Sequence, residues 1–229
     1  MGRHRLEGNP PIDVTLRRSA RAKRLSLRVS RLDGRVTLTL PKRAREGEGI
    51  AFLQAKESWL RGHLDQMRPV QTVVMGQGVP VRGALLPIIP ATGRYVRITQ
   101  DAVHVVAGRP VGPQVTAALK ALARDVLTDA SDRYAAQVNR PYTRISLRDT
   151  RSRWGSCSSA GALMYSWRLI MAPSAVLDYV AAHEVAHLVE MNHGPAFWAL
   201  VGRLCPDYDQ HRRWLRAEGD QLHRITFEN

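Results

Sequence analysis

His183, Glu184, Val185, Ala186 and His187 form an HExxH run, and His193 follows six residues after the second histidine. On a helix, residues four apart lie one turn above each other on the same face. Two imidazoles so placed can reach one metal ion, each through a ring nitrogen at roughly 2.0–2.1 Å for zinc. Glu184 stands beside the first imidazole, where a carboxylate can take a proton from a metal-activated water. His193 offers a third nitrogen. Three protein ligands leave a position open, which is the layout of a catalytic site and not of a closed structural one. These residues point to metal-assisted hydrolysis, with Zn2+ inferred from ligand type; three imidazoles also accept cobalt, nickel or manganese.

An HExxH can arise by chance on any helix. Here it falls on an apolar-periodic segment, and four of the eight histidines lie between 183 and 211. The ligand spacing is that of metzincin proteases, but the expected glycine is Glu190 and no methionine follows His193. Glu218 or Asp207 is the alternative third ligand; His193 is preferred because it needs only a short loop to reach the ion.

The elements that position these groups can be read from periodicity. Arg24–Ser30 and Arg35–Leu40 alternate polar with apolar residues, and Arg31-Leu32-Asp33-Gly34 between them carries a turn signal, predicting a hairpin with one apolar and one basic face. A helix is expected over 50–67, short strands near 79–82 and 85–89, and a hairpin through 95–98 and 103–106. The loop 108–113 is the candidate boundary, giving a β-rich basic N-terminal lobe over 1–110 and a metal-binding lobe over 111–229. A helix over 114–138 is followed by strands at 145–148 and 163–171, with 151–161 turning between them. Pro173 and Ser174 open the metal-bearing helix, on which Val176, Val180, His183 and His187 share one stripe. Pro195 opens the next helix and Trp214, Leu215 and Leu222 suggest a last one, so that a loop between anchored helices presents His193.

The 229 residues carry a net charge of +14. Residues 1–45 hold thirteen Lys and Arg against three acids (Glu7, Asp13, Asp33), an excess of ten. Such a lobe would attract nucleic acid, nucleotides or an acidic membrane surface; the alternative is a solvated face that maintains solubility. Cys157 and Cys205 form no CxxC pair, so neither a disulfide framework nor a zinc ribbon is indicated. The absence of a long apolar stretch argues against a secretory signal or a spanning helix, and a cytoplasmic protein with no membrane partner is expected.

Arg153-Trp154-Gly155-Ser156-Cys157, the stretch Leu169–Pro173, Asp178-Tyr179-Val180, the HExxH and Asn192–Trp198 together resemble the YgjP-like metallopeptidases. The hairpin over 21–41, Pro206-Asp207-Tyr208 and Trp214-Leu215 fit as well, so the resemblance spans nearly the whole chain. It implies an α+β protein with a zincin-like core, related in its HExxH helix to SprT-like and WLM proteases that act on DNA-bound proteins. It implies His183, His187 and His193 as metal ligands and Glu184 as general base. A protein or peptide substrate is expected, with nucleic acid or nucleotide as a candidate partner of the Arg-rich lobe. Two other functions stay open: metal-dependent pyrophosphohydrolysis of a nucleoside triphosphate, and nucleic-acid binding around a structural metal.

Within the RWGSC stretch, Trp154 and Cys157 read as packing residues and Gly155 as a turn residue. Arg153 is a candidate for binding a substrate carboxylate, a phosphate or an oxyanion, or else for a salt bridge to Asp178 or Glu190. Tyr208 and Tyr165 are candidate oxyanion-stabilising phenols.

Overall fold

The computed structural model describes residues 2–30, 32–67 and 69–228. The chain is α+β and divides into two compact units, 1–70 and 71–229. Each has its own apolar core.

The first unit begins with strands β1 (Gly2–Leu6), β2 (Ile12–Ser19), β3 (Ser26–Val29) and β4 (Val36–Pro41), ordered β1-β2-β4-β3 in one sheet. The expected hairpin is present as β3 antiparallel to β4; Arg31, in its connection, lies outside the described residues. β2 pairs with β4 in parallel, a long-range choice that alternation cannot reveal. Val14, Leu16, Val36, Leu38 and Leu40 bury one face of the sheet. Leu53 and Leu60 from two helices, α1 (Glu46–Ala55) and α2 (Glu57–Asp65), cover it. The sequence reads as one helix here. The chain instead breaks at Lys56 (φ −105°, ψ 9°), whose amide closes α1 on the carbonyls of Phe52 and Leu53 before α2 begins.

In the second unit, β5 (Gln71–Thr72) precedes β6 (Gly78–Val81), β7 (Ala84–Ala91), β8 (Arg97–Ile98) and β9 (Val103–Val106), of which the last four form a sheet ordered β6-β7-β9-β8. Arg82 and Gly83 both have positive φ (52° and 86°), the backbone of a two-residue hairpin turn whose twist matches its strands. α3 (Val111–Val138) lays Val115, Leu119, Ala123 and Leu127, one per turn, into the core shared with this sheet. That shared core is why the 108–113 loop lies inside the second unit, and the division falls between Val70 and Gln71.

β10 (Arg144–Arg148), β11 (Gly155–Cys157) and β12 (Ala162–Ser166) form a second sheet ordered β10-β12-β11. Two expectations are corrected here. The stretch 151–161 contains an edge strand, β11, antiparallel to β12. The strand expected over 163–171 ends at Ser166 and continues as a 3-10 helix, Trp167–Met171, that buries Trp167, Leu169, Ile170 and Met171. All-round burial of an apolar run makes strand and helix indistinguishable by periodicity. α4 (Ser174–Ala186), α5 (Pro195–Leu204), α6 (Tyr208–Leu222) and β13 (Ile225–Thr226), which pairs with β5, complete the chain. None of the described helices is long and apolar enough to cross a membrane.

Candidate metal centre

α4 is apolar on nearly every side: Val176, Leu177, Val180, Ala181, Ala182, Val185 and Ala186 are all buried, as expected of a helix threaded through a core. Only four buried polar or charged residues stand among the described ones, Ser131, Ser166, Glu184 and His187, and the last two belong to the HExxH. A buried carboxylate is costly unless it is paired, hydrogen-bonded or protonated. The motif occupies the last turn of the helix, with His187 one residue past Ala186 but still helical in backbone (φ −67°, ψ −14°). The four-residue spacing therefore keeps both imidazoles on one face.

After Ala186 the chain turns through 187–189, and Gly194 and Pro195 start α5, so His193 is carried by the short connection as expected. One nitrogen from each of His183, His187 and His193 lies within 4.8 Å of the others. Among the described residues no Asp, Glu or Cys joins the group, so neither Glu218 nor Asp207 belongs to it. His183 Nε2 and His193 Nε2 are 3.1 Å apart. Two nitrogens bonded to one tetrahedral ion at about 2.0–2.1 Å would stand about 3.3 Å apart, so the spacing fits a shared metal. His187 Nδ1 faces the Glu190 carbonyl at 3.0 Å, which favours the tautomer with Nε2 as the free lone pair. His183 Nδ1 is buried with no hydrogen-bond partner.

Burial pushes His183 down to about 3, with His187, His193 and Arg212 adding to the effect; burial also lowers His187. Both are therefore neutral imidazoles, the form that ligates metal. The donor set fits a divalent ion.

Phe197, fully buried on α5, stands behind all three rings at 4.9, 4.5 and 4.8 Å between centroids from His183, His187 and His193. Sequence reading treats it as a core anchor; its part in holding the ligand rings shows only in three dimensions. Trp198 lies 5.7 Å from the His183 and His193 rings and carries the Arg212 guanidinium 4.5 Å from its centroid.

Glu184 is 5% exposed, and burial raises its carboxyl to about 8 against the opposing charge of Arg153. Its side chain lies against Gly155 of β11. A Cβ at that position would stand 2.5 Å from Glu184 Oε1, 2.6 Å from Cγ and 2.7 Å from Cδ. Gly155 is therefore a close-approach residue and not a turn residue, and no local signal announces it.

The remaining candidates separate clearly. Arg153 is exposed at the foot of β11, and neither expected salt bridge forms; Asp178 is taken by Arg133, at 2.5 Å, and by the Tyr134 hydroxyl. Tyr165 is fully buried with its hydroxyl 3.0 Å from Ser131 Oγ, a core position that substrate does not reach. Tyr208, at the start of α6, stacks on Trp198 at 5.5 Å and Tyr179 at 6.4 Å, one ring removed from His183. Trp154 packs as expected, stacked on His223 at 4.9 Å.

The family model described as YgjP-like, metallopeptidase domain matches residues 23–218. The chain belongs to the YgjP-like metallopeptidase family. Membership makes it a metallopeptidase at the family level and implies a divalent metal, for which the three imidazoles offer a site. No curated protein matches the chain. It is similar to the metallopeptidase zymogen of Pyrococcus abyssi abylysin at 21% identity, covering 42% of this chain and 95% of that one with a TM-score of 0.35. So weak a likeness carries no argument, and family membership rests on the family match.

Proposed function

We propose that this chain hydrolyses peptide bonds in protein or peptide substrates, with zinc held by His183, His187 and His193 and with Glu184 as general base. The observation that carries the reading is the convergence of three imidazole nitrogens beside a buried carboxylate at the end of α4. Zinc held by these three residues would lower the pKa of water to about 7 and would polarise a carbonyl. Glu184 accepts the proton of the attacking water and passes it to the leaving amine. Arg153 and Tyr208 are the candidate contacts to substrate, Arg153 because it is exposed while its charge reaches Glu184, Tyr208 because it closes the aromatic wall that starts at His183. Cys157 and Cys205 are unpaired, which suits a reducing, cytoplasmic setting.

The test is cleavage of an unfolded protein substrate by the zinc-loaded chain, followed by mass spectrometry of the products. Glu184→Gln should retain zinc and lose turnover, whereas unchanged turnover would remove Glu184 from the mechanism. Release of pyrophosphate from nucleoside triphosphates without any peptide cleavage would hand the same site to phosphoanhydride hydrolysis.

A further inference from the structure

The open face of the first unit's sheet is built from guanidiniums and hydroxyls in register. Val14, Leu16, Val36 and Leu38 point into the core, so their strand neighbours point out. The pairing aligns Arg3, Thr15, Thr37 and Arg28 as one row across all four strands. Arg17, Thr39 and Ser26 form the next row, and Arg5 faces Asp13 on the other side. Arg3, Arg5, Arg17 and Arg28 are exposed. Asp13 is the single acid in these rows. Neighbouring strands lie about 4.8 Å apart and alternate residues about 7 Å apart, so the rows make a positive lattice roughly 14 Å wide.

We infer that this face binds the sugar–phosphate backbone of double-stranded nucleic acid without reading its sequence. Guanidiniums pair with phosphates bidentately, and hydroxyls donate to phosphate oxygens. The four strands carry no Phe, Tyr or Trp, which denies the face a platform for unstacked bases and disfavours single strands. The lattice also has no apolar side chain to insert into a lipid surface. Arg3, Arg5 and Arg17 of this face precede residue 23, where the family match starts, whereas Arg28 and the β4 threonines lie within it.

The experiment is a salt titration of binding to a short duplex DNA of mixed sequence, read by fluorescence anisotropy on the full chain. The triple variant Arg3→Gln, Arg17→Gln, Arg28→Gln should bind about tenfold more weakly or worse, with the slope of log K against log salt reduced by about 2–3. Replacing the same three residues by Lys should keep the slope, which separates charge from damage to the sheet. An equal charge change on the second unit, Arg94→Gln, Arg124→Gln, Arg140→Gln, should leave binding within about twofold of the parent. Parent-like binding by the first triple variant overturns the inference, as does an equal loss in the second. Binding to phosphatidylserine vesicles but not to the duplex would overturn it in favour of a membrane surface.

Discussion

Replacing Gly155 by alanine adds a single methyl group, and the structure states what that methyl meets. The new Cβ would stand 2.5–2.7 Å from three atoms of the Glu184 side chain. Ordinary contact begins near 3.4 Å, so the carboxylate must retreat by roughly 0.7–0.9 Å or rotate away. The backbone of Gly155 is not left-handed, so alanine itself is accommodated without strain. A general base must lie within about 2.6–3.2 Å of the atom whose proton it takes, and a misplacement near 1 Å costs on the order of 10²-fold. The expected result is a kcat about a hundredfold lower, or about 2.7 kcal/mol of lost transition-state stabilisation. KM and bound metal should stay close to parental values, because the three atoms nearest the new methyl all belong to Glu184 and none to a metal ligand. Peptide-cleavage kinetics with metal analysis of the same preparations measure all three quantities. If Gly155→Ala retains parental kcat while Glu184→Gln is inactive, the close approach is not what positions the base; if both are active, Glu184 is not the base.

Other outcomes follow from the same geometry. His193→Ala should lose most bound metal while the chain stays folded, since His193 is carried on a short exposed connection; full metal occupancy by elemental analysis would place the third ligand elsewhere. Asp178 ties α3 to α4 by accepting from both Arg133 and Tyr134, so Asp178→Ala should cost about 1–3 kcal/mol in urea unfolding, more than the few tenths typical of a surface site. His223 is held down to about 4, chiefly by burial, beneath Trp154. The unfolded chain then binds more protons than the folded one between about 6.5 and 4, so stability should fall as pH drops through that window. His223→Asn should flatten this part of the urea-midpoint profile, and an unchanged slope would show that His223 does not contribute.

The sequence by itself determined the parts of this protein whose signals are local. A four-residue histidine spacing is a statement about one helix face. Alternation over 24–30 and 35–40 is a statement about one hairpin, and Pro195 marks one helix start. These needed no partner from elsewhere in the chain, and the structure contains the hairpin, the helices and the converging imidazoles. What the tertiary structure decided was every relation between distant segments. The parallel pairing of β2 with β4, the division at Val70, and the 3-10 helix where a buried apolar run suggested strand all depend on which surfaces meet. So does the role of Phe197 behind three imidazoles. Gly155 is the clearest instance: its sequence neighbours say only that a small residue stands there. Folding brings β11 against α4, and only that contact, between residues far apart in the chain, turns the missing side chain into room for Glu184.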